Sequence, residues 1–279
     1  MLAAACNKAL HDGDYIQAVG LANQALKTSS GDRKAHLCLG RALGGKGDHN
    51  GAITALQAGD KLSTNALEHS VALTLLGNQY ASVRAYTEAT EAYRASLAAA
   101  RADKNQHFVR INLNQLGEVQ QAAGDNAGAL EYYLQGQRLA ANDNERGEGN
   151  ACIAATYSLL GNHDKAIEYQ IKSLLEEERV GELDQYANAG VEMGRIYLVA
   201  GQYENAEKVL NKIFAVITLN NDAYWEAKIY LTLGKLRSAQ GKPAEANDFY
   251  QRGKLLADKA RAEDLSKEIS AAMVGSGAR

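Results

Sequence analysis

The chain has 279 residues, of which 46% are apolar but only 6% are aromatic, and it contains a single proline, Pro243. Its net charge is −3, so the composition provides no basic surface of the kind that nucleic-acid binding requires. No apolar run approaches the length of a membrane-spanning helix, and the abundance of alanine beside one proline predicts an all-α protein.

The first predicted element is a helix that contains Cys6. Residues 2–5 before it resemble the cleavage box of a bacterial lipoprotein, which would make Cys6 a lipidated N-terminus. No charged and apolar signal segment precedes them, so we favour Cys6 packed inside the helix, and a trimmed signal stays open as the alternative. Because Cys6, Cys38 and Cys152 are odd in number and widely spaced, we expect no disulfide framework, no zinc site and a cytoplasmic location.

From this helix onward, a turn-like string recurs along the chain with an alanine five residues after it and a small residue seven residues before it. The step from one turn to the next lies between 34 residues (47−13) and 40 residues (241−201). Such regular agreement indicates internal repeats. The turns begin at Gly13, Gly47, Arg84, Gly124, Gly161, Gly201 and Gly241; the alanines are Ala18, Ala52, Ala89, Ala129, Ala166, Ala206 and Ala246; the small residues are Cys6, Gly40, Gly77, Gly117, Ala154, Gly194 and Gly234.

Each repeat is predicted to be two amphipathic helices joined by the turn, because apolar residues recur at i, i+3, i+4 and i+7. The turn glycine permits the positive φ that commonly ends a helix, and the small residue lets the paired helices approach closely. After the last repeat, we predict a capping helix over residues 260–273 and a flexible tail over 275–279. The predicted repeats span approximately residues 1–30, 34–66, 70–102, 109–141, 148–180, 186–220 and 226–259 of a single solenoid over 1–274.

The pattern Leu-Gly-x-x-Tyr, then Gly-x-Tyr-x-x-Ala, then a further Tyr resembles the tetratricopeptide repeat, most clearly from Leu76 and Gly77 to Tyr93. The resemblance covers nearly the whole chain and implies a right-handed superhelical solenoid that acts as a protein-binding scaffold or adaptor. The long spacing resembles the subgroup that includes the Leu-Gly-Asn repeat adaptors and kinesin light chains. The resemblance further implies that the first helix of each pair lines a concave groove.

One groove position is expected directly after the small residue, and two more are expected four and seven residues before that exposed position. We expect the partner to be a peptide or helical segment with an acidic residue near Arg195 and Lys235 and apolar contacts beside Val191 and Leu231. No three-repeat window supplies the lysines and asparagines of a chaperone carboxylate clamp, so binding of chaperone C-termini is not expected. The candidate groove residues are Arg41, Asn78, Asn114, Glu118, Asn188, Val191, Arg195, Lys228, Leu231 and Lys235.

No residue pattern predicts catalysis, a metal site or a cofactor, so we do not expect an enzyme. The acidic run at residues 176–178 is interpreted as a solvated helix end. Tyr224 and Trp225 are either a partner anchor or core residues, and packing is favoured. A second function stays open, in which the chain is a sensor that binds a small ligand or signalling peptide and switches a partner or attached module.

Overall fold

The computed structural model describes residues 2–180 and 182–277, and every regular element within them is an α-helix. None of the helices described is long and apolar enough to cross a membrane. The all-α helical-repeat prediction is thus confirmed. The helices are α1 Leu2–His11, α2 Tyr15–Thr28, α3 Arg33–Gly45, α4 His49–Lys61, α5 Ala66–Ser82, α6 Tyr86–Ala102, α7 Gln106–Ala122, α8 Asn126–Gln137, α9 Asp143–Leu159, α10 His163–Val180, α11 Leu183–Val199, α12 Tyr203–Leu219, α13 Ala223–Ala239, α14 Pro243–Lys259 and α15 Glu263–Gly277.

The helices form two compact units, Met1–Leu139 (unit 1) and Ala140–Arg279 (unit 2). In both units each odd-numbered helix pairs with the even-numbered helix that follows it, and this second helix also packs on the next pair where one follows within the unit. The odd-numbered helices before α15 are therefore the first helices of the repeats, and the even-numbered helices are the second. The prediction of one solenoid over residues 1–274 stays a prediction.

Asparagine or aspartate caps mark where the first helices α3, α5, α7, α9 and α13 begin. Asn65 Oδ1 accepts a hydrogen bond from the Glu68 backbone N–H at 2.9 Å, and Asn142 Oδ1 accepts one from that of Glu145 at 2.9 Å. Such a cap satisfies a backbone donor that the helix itself leaves open. Hence α5 and α9 begin before residues 70 and 148, where the sequence analysis starts the third and fifth repeats.

The turns between helices use residues with positive φ. Six are glycines, but four are not: Arg84, Lys104, Asn221 and Arg261 have φ of 55° to 60°. Glycine adopts this left-handed region freely, whereas a residue with a Cβ is disfavoured there. Arg84 stands where other turns have glycine, and it keeps the positive φ of the turn at a local conformational cost.

Where the small residue of a repeat is glycine, it faces a residue sixteen positions later on the second helix. A Cβ at Gly77 would lie 2.4 Å from Tyr93 Cε1, and a Cβ at Gly234 would lie 2.4 Å from Tyr250 Cε1. These distances are too short for a real contact, so glycine is what allows the buried tyrosine ring to fit. The predicted close approach of the paired helices thus has a specific partner.

Cys6 and Cys38 form a disulfide bond between α1 and α3, with their Cα atoms 6.3 Å apart. The expectation that the cysteines form no disulfide is therefore wrong. Cys6 is also fully buried, which agrees with the packed alternative. Because disulfides persist mainly in oxidising compartments, the cysteines no longer support a cytoplasmic location.

The last helix, α15, ends at Gly277, beyond the predicted end of the capping helix at residue 273. Residues 275–277, which were predicted as tail, therefore continue the helix. Nothing in this stretch stops a helix as a proline would, and one or two glycines at a helix end only weaken it. Residues 278 and 279 of the predicted tail lie outside the described residues.

Candidate interaction surface

Neighbouring first helices contact each other directly, α3 with α5 and α5 with α7 in unit 1, and α11 with α13 in unit 2. Side chains that follow the small residue on successive first helices therefore stand in a row. We call the exposed side of these helices the first-helix surface of each unit. It carries the candidate groove residues that the sequence analysis selected.

In unit 1 the predicted positions directly after the small residue are exposed. Arg41 lies on α3, Asn78 on α5 and Glu118 on α7, and all three are accessible to solvent. Arg41 Nη1 donates a hydrogen bond to Asn7 Oδ1 at 3.1 Å, which joins the first-helix surface of the first two repeats. Asn114 is half-buried, and its Oδ1 has no hydrogen-bond partner.

A buried tyrosine reaches this surface from the second helix α6. The Tyr93 hydroxyl lies 2.7 Å from Asn78 Oδ1 and 2.9 Å from Gln115 Oε1. Burial, together with the nearby Glu118 carboxylate, raises the pKa of Tyr93, so the hydroxyl stays protonated and acts as a donor. Desolvation likewise raises the pKa of Glu118, against a lowering by its hydrogen bond with Gln115. The polar groups on α5 and α7 are thus held in fixed positions.

Beneath this surface lies a buried hydroxyl network that sequence reasoning did not find. Thr74 Oγ1 lies 2.8 Å from Ser96 Oγ and donates to Asn112 Oδ1 at 3.1 Å. Ser70 Oγ lies 2.9 Å from Ser96 Oγ. All four residues are buried, so these bonds satisfy groups that would otherwise be costly in a core. The available signal was a set of small polar residues at positions where the repeat pattern expects apolar ones.

The predicted groove positions four residues before Arg195 and Lys235 are core positions in unit 2. Val191 is 6% exposed and Leu231 is 5% exposed, and each packs in an apolar cluster. The prediction that they offer apolar contacts to a partner is therefore wrong. Because residues four apart differ by about 40° around a helix, these side chains turn away from solvent and into the packing between neighbouring helices.

The charged candidates of unit 2 already have partners within the chain. Arg195 Nε donates to Glu192 Oε2 at 2.6 Å, and Lys235 Nζ donates to Glu268 Oε1 at 2.7 Å. Both pairs are partly exposed, so they stabilise little and can open. An acidic partner residue at these two cations would have to displace a carboxylate that is present.

The remaining candidates of unit 2 lie near the start of their helices. Asn188 on α11 is exposed. Lys228 Nζ on α13 lies 4.8 Å from the ring centroid of Trp225 and 5.3 Å from that of Tyr224. Trp225 itself is 6% exposed, and its Nε1 donates to Asp184 Oδ1 at 2.7 Å. Trp225 is therefore a core residue, and only Tyr224 and Lys228 reach the surface.

The acidic run at residues 176–178 is not uniformly solvated, contrary to the sequence interpretation. Glu177 on α10 is only 5% exposed, and its Oε2 has no hydrogen-bond partner. Burial, followed by the nearby carboxylates of Glu148 and Glu176, raises the pKa of Glu177. A carboxyl with a raised pKa in the folded state stabilises the fold at low pH and loses that contribution as the pH rises through the folded pKa.

We expect Glu177→Gln to raise the free energy of unfolding by about 1 kcal/mol at pH 7, because it removes a buried charge without a full set of partners. The gain should largely disappear by about pH 3, below the ordinary glutamate pKa of about 4.3, where the wild-type carboxyl is mostly protonated in both states. Urea unfolding at both pH values measures it. Glu178→Gln is the control: Glu178 is exposed and accepts a hydrogen bond from Lys212 Nζ at 2.8 Å, so we expect no gain. A loss of stability for Glu177→Gln at pH 7 would contradict the assignment.

Among the described residues, no group of three or more His, Cys, Asp or Glu side chains could hold a metal ion.

Two family models match the chain, both described as tetratricopeptide repeat, at residues 185–253 and 153–178. Both matches fall in unit 2. No curated protein matches the sequence. The resemblance to one subgroup of long-spaced repeats stays a prediction.

Several solved structures share the fold. RapI in its apo form superposes with a TM-score of 0.71 at 11% identity, over 93% of this chain and 80% of its own. A tetratricopeptide repeat protein from Parabacteroides merdae gives 0.65 at 15% identity, over 96% and 97%. Nearly identical kinesin light chain repeats from Podosopora anserina give 0.63 at 16% identity, over 72% and 100%.

Proposed function

Since the chain is a tetratricopeptide repeat protein, we propose that it is a non-enzymatic scaffold that binds a segment of another protein along the first-helix surface of unit 1. The proposal rests chiefly on one observation: the residue after each small residue is exposed on three neighbouring first helices, at Arg41, Asn78 and Glu118. These side chains offer a cation, an amide and a carboxylate in one row. Such a set can bond both the backbone and the side chains of an extended partner.

The chemistry of the row supports a polar partner segment. Asn78 is held by the Tyr93 hydroxyl, so its amide nitrogen keeps its donors for a ligand while its oxygen is engaged. A held group loses less side-chain entropy on binding than a mobile one. In unit 2, an acidic partner residue can bind Arg195 or Lys235 only by displacing Glu192 or Glu268 from its hydrogen bond with that cation. Such a contact stays part of the proposal on that condition. That no chaperone C-terminus binds also stays a prediction.

Affinity enrichment with mass spectrometry tests the proposal. The bait is the whole chain, compared with Arg41→Glu/Asn78→Asp on the first-helix surface. The control Arg94→Glu/Ala98→Asp makes the same change in charge at exposed positions of the second helix α6. We expect a partner that wild type and control recover alike and that the first-helix variant loses, while circular dichroism shows all three folded.

Equal recovery by all three proteins would contradict the proposal, because it would place the binding surface away from Arg41 and Asn78.

A further inference from the structure

A cavity of about 370 Å³ opens on unit 1 where the end of α6, the start of α7 and the end of α8 meet. It is formed by the turn between the third and fourth repeats, and neither Arg41, Asn78, Asn114 nor Glu118 lines it. Its size falls within the range of ligand pockets and would admit about two side chains of a peptide. The four candidate groove residues of unit 1 therefore take no part in this cavity.

The rim of the cavity is cationic. Arg101 at the end of α6, Lys104 in the turn and Arg138 after α8 line it, and all three are exposed. No carboxylate is among its lining residues, and none of these three cations takes part in an ion pair found in the described part of the chain. Three cations that line one cavity, with no carboxylate among the lining residues, attract an anion.

The floor of the cavity is apolar. Val109 and Leu113 on α7 are 6% and 2% exposed, and the half-buried Leu139 closes one side. Gln106 and Gln135 add amide groups at the rim. An inorganic anion would use the rim and leave the floor without a partner. A ligand that uses both must carry a charge next to an apolar group.

Lys104 occupies its place in an unfavourable backbone conformation. Its φ is 57°, as it is 55° at Asn221 and Arg261 in two other turns between successive helix pairs, whereas the six glycines with positive φ lie in the turns within the pairs. A non-glycine residue in this region is disfavoured, so the local backbone alone gives no reason for lysine here. The side chain, by contrast, brings an ammonium group to the rim of the cavity.

We propose that this cavity binds an acidic peptide segment, with a carboxylate between Arg101, Lys104 and Arg138 and the neighbouring apolar side chain on Val109 and Leu113. Arginine is suited to the carboxylate because its planar guanidinium can donate two parallel hydrogen bonds. The inference rests on the proposed scaffold function and adds a second contact point for the same class of partner. It names the chemistry that the cavity selects.

Selection from two peptide pools tests the inference on the full chain. One pool of labelled octapeptides has Asp-Leu or Glu-Leu at its centre, and the matched pool has Asn-Leu or Gln-Leu. We expect the acidic pool alone to yield binders, whose affinity is then measured by fluorescence anisotropy and falls with added salt. Equal recovery from the two pools overturns the inference.

The variants separate a binding defect from a folding defect. Lys104→Gly removes a rim charge while placing the residue that the backbone favours, so we expect it to fold. Its control is Arg84→Gly at the opposite end of α6, which likewise replaces a cation with glycine at a positive φ, here 60°. We expect the double variant Lys104→Gly/Arg138→Gln to bind the selected peptide at least about tenfold more weakly than wild type does. We expect Arg84→Gly alone to leave the affinity unchanged.

The outcomes also separate this inference from the proposed function. If Lys104→Gly/Arg138→Gln binds the acidic peptide like wild type, the cavity is not its site and the inference falls, whatever the enrichment experiment gives. If millimolar inorganic phosphate binds and neither pool is selected, the cavity takes small anions and the inference falls as well. The scaffold proposal is judged only by Arg41→Glu/Asn78→Asp, which leaves the cavity intact.

Discussion

Reduction of the Cys6–Cys38 disulfide is expected to destabilise the first two repeats by about 3–4 kcal/mol. The bond closes a loop with a sequence separation of 32 residues. A cross-link of this length lowers the chain entropy of the unfolded state, which stabilises the fold by about 3–4 kcal/mol. Since repeats unfold partly independently of one another, the effect should be concentrated in α1 to α4. Hydrogen exchange of the amides in these helices, with and without a reductant, measures it.

The control for the disulfide is Cys6→Ala/Cys38→Ala, in which a reductant should change nothing. Cys152, which is half-buried and outside this disulfide, is present in both proteins and so cancels in the comparison. If the amides of α1 and α3 exchange equally slowly in the oxidised and the reduced wild type, the bond does not stabilise these helices. An intact mass that does not change on reduction would refute the bond itself.

Gly77→Ala is expected to lower the free energy of unfolding by about 1–3 kcal/mol, as overpacking of a filled core does. The added Cβ would meet the Tyr93 ring, which is fully buried and cannot withdraw. The control is Gly20→Ala on α2, where a Cβ would meet nothing within 4 Å. There we expect a gain of about 0.5–1 kcal/mol, because alanine is the better helix former. Thermal and urea unfolding of both variants measure the expected loss of stability for Gly77→Ala and the expected gain for Gly20→Ala.

The chain itself suggests how the overpacking is relieved. Where the small residue is Ala154, the residue sixteen positions later is Gln170, and where it is Cys6 that residue is Ala22. Tyrosine at the second position occurs only opposite glycine. In a double-mutant cycle of Gly77→Ala and Tyr93→Gln, we therefore expect the combined loss to be smaller than the sum of the single losses. Strict additivity would contradict this coupling.

The helix pairs could be predicted from the sequence because the turn, the alanine and the small residue repeat in every unit. The disulfide could not be predicted from cysteine spacing alone, since a separation of 32 residues has no meaning in a chain without repeats. Within the repeats it has one: Cys6 and Cys38 lie only two residues out of register on neighbouring first helices, because the step between their turns is 34 residues. The repeat pattern thus contained a signal that counting cysteines did not use.

The candidate site was predicted only in part, for geometric reasons. Arg41, Asn78 and Glu118 follow the small residue and are exposed as expected, whereas Val191 and Leu231 are core residues. A rotation of about 40° decides between the two environments, and hydropathy alone does not resolve it. The cavity beside Lys104 was not predicted, because its residues come from three helices and a turn that no motif connects.

The hydroxyl network of Ser70, Thr74, Ser96 and Asn112 limits how far the repeats of this chain are interchangeable. Stacked apolar faces tolerate the insertion, loss or exchange of a whole repeat, because any similar face covers them. The hydrogen bond that Asn112 Oδ1 on α7 accepts is directional and requires the hydroxyl of Thr74 on α5. A chimera that joins α7 to a repeat without that hydroxyl would bury an amide oxygen without this partner, at a cost of about 1–3 kcal/mol. The third and fourth repeats are therefore coupled. We expect chimeras that exchange them together to be more stable than chimeras that separate them.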